Sequence, residues 1–566
     1  MRYMRSNWTA IRRGVAALIV VLAATTPPLR PVFAEDRPDF TSRVPQYTFA
    51  ETLEEQQKQL RRNPMLQRFA ESRKKLSTDR HRPVYHYVNP EGRLNDPNGL
   101  CYWQDRWHLF YQAYPPEDPR QHWGHAVSDD LIHWRDLPLA IYPNPEAKCF
   151  SGSTFVEEDR VIAAYHGVKA GTMVAVSSDP LLLNWTKVTG DAVMPFPEPG
   201  EPKPPYNIFD PCIWRQGDYY YILTAGTLPD GPAGQRVRAE FLHRSKDLAT
   251  WEYLHPFLEN DQYGLVGDDG ACPYFWPIEN RHILIHYSHM SGGKYILGNY
   301  DTSRDKFVVE NGGDFNFGAS RPGGVHAPSA FPDGRGRVVV IFNMNSAKPR
   351  SNDPYEWNQI MSLPRRLTLA PGNVRNPLKI EPAGDIESVR GKHQHVGTTR
   401  LPANEEIVLE NVRGNSMEII AQIVPQHQQT VELNVLRSSD GREATRIVCF
   451  RDAGYRRASA VSIDTTRSTL DGDVHVRPPE TAQVTLGRNE PIKLRVFIDR
   501  SVVEVFVNER QCLGLRVYPT REDSVGVSLR AHGQDATLES LDAWQMKCIY
   551  GEEQGADHVR RIEFRS

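Results

Sequence analysis

From Arg82 onward the chain alternates short apolar, aromatic-rich runs with polar clusters of Gly, Asp, Asn and Pro, the spacing of β-strands joined by turns. Three stretches share one layout. Asn95-Asp96-Pro97-Asn98-Gly99 precedes Trp103–Tyr111, Phe209-Asp210-Pro211 precedes Trp214–Ile222, and Cys272-Pro273 precedes Trp276–Leu284. In each, a proline leads into a strand, a polar turn follows and a second apolar strand returns. Such units, repeated tens of residues apart, predict the blades of a β-propeller, although β-sandwiches contain similar hairpins. From about residue 395 the Asp-Pro turns stop and plain alternation takes over. Ile492–Asp499 and Val502–Asn508 flank a short turn and read as a hairpin with one buried face, with Gln534–Trp544 as a further strand. The expected class is all-β, a propeller followed by a β-sandwich.

Two upstream segments break this texture. Residues 50–78 are rich in Glu, Gln, Lys, Arg and Leu and predict one or two exposed helices broken near Asn63-Pro64. Arg2, Arg5, Arg12 and Arg13 precede the apolar run Gly14–Thr25, which falls short of the roughly 20 residues a spanning helix needs. With small residues at Val32 and Ala34, a cleaved signal peptide and export to the periplasm or beyond are expected; an uncleaved anchor is the alternative. The expected divisions are a signal peptide over 1–34, a helical linker over 35–80, the propeller over 81–390, the sandwich over 395–547 and a tail over 548–566.

Composition narrows the function. A length of 566 residues asks for two or three domains, and 39% hydrophobic with 24% charged residues excludes a disordered or fibrous chain. A net charge of −3 removes the positive field a nucleic-acid binder needs, and no stable membrane insertion is expected of the mature chain. The seven cysteines are scattered, without Cys-x-x-Cys or zinc-type His spacing, and read mostly as buried small hydrophobes rather than a disulfide or metal framework.

Asp96 and Asp210 are each followed by proline at equivalent points of the repeat. Either alone reads as a turn aspartate. Together they point to carboxylates from different blades facing one cavity, the arrangement that glycosidic bond cleavage requires.

The ordered motifs resemble glycoside hydrolase family 32, the invertase, levanase and inulinase group, from about Tyr85 to Trp544. They are Leu94–Leu100, Trp107–Gln112, His122–Ser128, Asp130–Trp134, Phe150–Ser153, Trp357–Leu367 and Leu494–Phe506. The resemblance implies a five-bladed propeller plus a sandwich, an oligo- or polysaccharide substrate, and a retaining mechanism without cofactor or metal. It implies that Asp96 is the nucleophile and that Asp210 stabilises the transition state. Asn95, Asn98, Gln112, Phe150, Ser151 and Trp357 would line the sugar site, with Trp123 as apolar wall.

Two departures stand out. Where the family has Arg-Asp-Pro this chain has Phe209-Asp210-Pro211, so Phe209 stands beside the sugar in place of a cation. Where the family has its acid/base Glu before Cys, this chain has Ala271-Cys272. Asp269, two residues earlier, would share the face of Ala271 in an extended strand and could serve as a relocated acid. Asp268 is a second candidate, expected to face outward; a solvated Asp268-Asp269-Gly270 turn with no acid is the third reading. The expected function is thus an exported β-fructofuranosidase, with a sugar-binding pseudoenzyme or a glycosidase of shifted specificity as alternatives.

Overall fold

The polar breaks between apolar runs become hairpins. Gln104 and Asp105 both take positive φ, 43° and 62°, between the paired residues Trp103 and Arg106, the two-residue turn that matches strand twist. The computed structural model describes residues 38–231, 234–318, 323–372, 376–453 and 458–550; the expected signal peptide lies outside them. Among the described residues no helix is long and apolar enough to cross a membrane.

Five sheets follow one another from Arg93 to Pro382, antiparallel except that Leu258–Glu259 joins the outer edge of the fourth in parallel with Lys306–Asp314; the first long strand of each, its opening strand, lies at an edge. These opening strands are Arg93–Trp103, Cys149–Val156, Pro211–Gln216, Ala271–Ile278 and Val325–Pro332. Each touches the next, and the fifth returns to the first, which closes a ring around one axis. The fold is the five-bladed propeller that the resemblance implied, and two further sheets, between Arg390 and Met546, pack as the sandwich. Alternate residues of Ile419–Ile423, Val431–Val435 and Val503–Val507 fill the sandwich core, as period-two patterning demands.

The hairpin Ile492–Asp499 and Val502–Val507 does more than build the sandwich. Asp499 accepts hydrogen bonds from the backbone N–H groups of Val84, Tyr85 and His86 at 2.8–2.9 Å, and Glu504 accepts from Leu363 N and Arg365 Nη2, both at 3.1 Å. Buried acids of the sandwich thereby fix the segment leading into the propeller and the fifth sheet.

Helix α1, Leu53–Leu60, and helix α2, Pro64–Leu76, are separated at Asn63, whose side chain caps Met65 N and Leu66 N. They are not wholly exposed, contrary to expectation. Gln56, Met65 and Phe69 are buried, and Arg73 of α2 bonds Asp136 of the first sheet through Nε and Nη2 at 2.5 and 2.7 Å.

Candidate active site

One residue from the start of each opening strand reaches the same end of the axis: Asp96, Ser151, Asp210, Cys272 and His326. Local irregularity aims them. Register shifts interrupt the first, second, fourth and fifth opening strands at Leu94/Pro97, Cys149/Gly152, Ala271/Tyr274 and Val325/Pro328, and a bulge turns a side chain out of the alternation. Asp210 and Cys272 instead adopt positive φ, 27° and 50°, a strain costing on the order of 1–3 kcal/mol that persists only where the surroundings enforce it.

Asp96 Oδ2 accepts from Ser151 Oγ at 2.6 Å and from Gln112 Nε2 at 3.2 Å, and Oδ1 lies 3.2 Å from His326 Nδ1. Burial works to raise its pKa, but the His326 imidazole and the Ser151 hydroxyl outweigh it and hold the carboxyl below its ordinary value. Asp210 is the opposite case. Burial and then the charge of Asp96 push it up to about 7, against the bond it accepts from Cys272 N at 3.1 Å. Cys272 Sγ lies between the two, 3.4 Å from Asp210 Oδ2 and 3.8 Å from Asp96 Oδ2. Asp96 is thereby poised to stay ionised, while Asp210 takes up its charge only as pH rises through about 7.

Asn95 extends the site. Its Nδ2 donates to Gln112 Oε1 at 3.1 Å, and its Oδ1 accepts from Gln359 Nε2 at 3.1 Å and Asn343 Nδ2 at 3.4 Å. On the other flank, Phe150, Phe196 and Phe209 surround the His166 ring at 5.4–5.8 Å. Burial pushes His166 down to about 4, so this wall is aromatic and neutral where Phe209 replaces the family's cation.

Three residues expected at the sugar are buried in packing. Trp123 is fully buried, packed at tilted angles between Phe110 and Tyr165, and its Nε1 donates to Phe150 O at 2.9 Å; it backs the wall that Phe150 forms. Asn98 is fully buried beside it. Trp357 is buried between the Arg82 and Arg516 guanidiniums, its Nε1 bonded to Asp79.

The acidic turn also differs from expectation. Its strand begins at Ala271, because Gly270 at φ +63° breaks the extended backbone that would have carried Asp269 onto the same face. Asp268 is not outward-facing but fully buried, accepting from Leu265 N, Ser288 Oγ and Ser291 Oγ. Asp269 bonds His289, with Oδ2 2.7 Å from Nδ1. His326, His289 and Gln359 were not singled out in the sequence, and Cys272 was read as a small hydrophobe rather than a site residue. Val325-His326-Ala327-Pro328 ahead of the hairpin Ser329–Met344 repeats the proline-led layout and would have marked His326.

Asp210 carries a stability prediction. A carboxyl raised from 3.8 to about 7 by folding contributes stability that is full below the unfolded value and is lost as pH rises through about 7. Asp210→Asn has no such charge to bury. Its melting temperature should therefore gain on the wild type as pH climbs across that window, and a gap that narrows with pH would refute the assignment.

Comparison with known proteins agrees with this geometry. Residues 86–382 match the N-terminal domain of family 32 glycosyl hydrolases and residues 385–545 match the family's C-terminal domain. Sucrose-6-phosphate hydrolase of Escherichia coli is 27% identical over 82% of this chain and 94% of its own length. Levanase of Bacillus subtilis is 26% identical over 83% and 71%. Among solved structures, fructan 1-exohydrolase IIa from Cichorium intybus superposes with a TM-score of 0.71 at 22% identity, covering 83% of this chain and 98% of that one. With both domains matched across most of its length and the strand ends of five blades converging on two aspartates, the chain belongs to glycosyl hydrolase family 32.

Proposed function

We propose that the chain is an exported glycosidase cleaving β-fructofuranosidic bonds of the sucrose, levan or inulin type by a retaining double displacement. The observation that carries this reading is the meeting of Asp96 and Asp210 across the single thiol of Cys272. Asp96, kept ionised by His326 and Ser151, attacks the anomeric carbon and forms a fructosyl ester; Asp210 hydrogen-bonds the furanose hydroxyls as positive charge develops on the ring. Asn95, Gln112 and Ser151 orient the sugar from one side, and Phe150 and Phe209 offer its C–H face an apolar surface. The Asp269–His289 pair supplies the proton chemistry that Ala271 cannot.

Purified mature protein should release fructose from at least one of sucrose, levan and inulin and leave arabinosides and xylosides intact; release from a pentoside alone would reverse the assignment. Ala271 favours a second reading, a sugar binder without efficient turnover. An activated aryl β-fructofuranoside separates the two, since its leaving group hardly needs a proton: a binder leaves it intact. Export rests on the arginine-led apolar segment, and a mature N-terminus found close after Ala34 would support it.

A further inference from the structure

Ala271 packs its methyl group against Cys272, Ala327 and Phe209, so the leaving group must draw its proton from another element. His289 sits in the turn joining Arg281–Ser288 to Gly292–Asp301, at the end of the fourth sheet where Ala271 pairs with Tyr287. Its Nδ1 lies 2.7 Å from Asp269 Oδ2, and its backbone N–H donates to Asp269 Oδ1 at 3.3 Å. Its ring stands 5.6 Å from Tyr287 and 6.2 Å from His326, which itself lies 3.2 Å from Asp96. The side chain is 48% exposed to solvent and lies close enough to influence both Asp96 and Asp210 electrostatically.

Building on the fructosidase reading, we infer that His289 is the general acid and base of the reaction and that Asp269 is its positioning partner. Burial works to raise Asp269, but the bond and charge of His289 hold it below its ordinary value, so the carboxylate stays ionised, and an anion 2.7 Å from the ring favours the imidazolium as the proton source. With Nδ1 committed to Asp269, Nε2–H is the donor. As Asp96 Oδ bonds to the anomeric carbon, the bond from that carbon to the leaving oxygen breaks, and its electron pair takes the Nε2 proton. The alcohol departs and His289 is neutral. Water then attacks the anomeric carbon, gives its proton to Nε2, and the ester to Asp96 breaks, restoring carboxylate and imidazolium.

The other carboxyls near this turn are closed in. Asp268 is saturated by Leu265, Ser288 and Ser291. Glu240, pushed up to about 7 by burial, has the right protonation but is fully buried behind Gly270, 2.7 Å from where a Cβ would stand, beside Arg238. Arg238 pairs in turn with Asp261 and His286. Among the described residues, Asp269, Tyr287 and His326 face His289, with Asp96 and Asp210 across the axis.

The test compares a natural fructoside from the screen with p-nitrophenyl β-fructofuranoside across pH. His289→Ala should lower kcat/KM on the natural substrate by about 10²–10⁴-fold but on the aryl substrate by less than about tenfold. It should also lose the basic limb of the pH profile and recover part of its rate with added imidazole. Asp269→Asn should keep that limb but move it to lower pH, because the imidazolium has lost its counter-charge. Equal losses on both substrates, a basic limb that survives His289→Ala, or one that vanishes in Glu240→Gln would overturn the inference. Wild-type protein inert on both substrates would instead remove the fructosidase reading beneath it.

Discussion

Asp96→Asn should abolish turnover of every β-fructofuranoside, aryl or natural, with a loss on the order of 10⁴–10⁶-fold in kcat, as for removal of other catalytic nucleophiles. The amide keeps the volume of the carboxylate and can still accept from Ser151 and Gln112, so the surrounding bonds have no reason to break. What it loses is the negative oxygen that forms the ester. Melting temperature and sugar affinity should therefore stay near those of the wild type, which distinguishes lost chemistry from lost structure. Proton donation cannot rescue this variant, so activated and natural substrates should fail together, unlike the split expected for His289→Ala. A variant that retained wild-type rates would assign the attack to another group.

The largest expected effect on stability lies far from the sugar. Glu504 and Arg365 are both fully buried where the sandwich meets the propeller, with Arg365 Nη2 donating to Glu504 Oε1 at 3.1 Å. Glu504 also receives Leu363 N, and its Oε2 lies 3.9 Å from His86 Nε2. Attraction to Arg365 lowers the Glu504 pKa despite burial, and Cys512 and Glu504 together raise that of Arg365 against its own burial. Glu504→Ala would strand a guanidinium in the interior, a loss of about 3–5 kcal/mol, whereas replacing both partners by apolar residues should recover much of it. Urea unfolding measures both variants. A single-variant loss below about 1 kcal/mol would mean that the pair is solvated and does not hold the domains together.

The propeller was legible because three of its five opening strands announce themselves by a proline directly after the site residue, at Asp96, Asp210 and Cys272. The second blade has Gly152 after Ser151, and in the fifth the proline, Pro328, comes two residues after His326, so the layout there is looser. Local sequence also misjudged exposure. Asp268 reads as a solvated turn, yet Ser288 and Ser291, twenty and more residues on, bury it. Trp123 reads as apolar wall of the sugar site, yet it packs between Phe110 of its own sheet and Tyr165 of the next. Cys272 reads as a small hydrophobe, and its place between two carboxylates follows only from ring closure and a positive φ. Residue type and spacing thus reported which blades carry acids; which side chains touch them depended on partners remote in the chain.

The central claim is that Asp96 becomes covalently attached to the fructosyl group. Acid-quenching the enzyme during turnover of an aryl β-fructofuranoside, followed by peptide mass spectrometry, tests it directly. The peptide containing Asn95-Asp96-Pro97 should carry the mass of one fructosyl residue, located on Asp96. A fructosyl adduct on any other side chain would contradict the account.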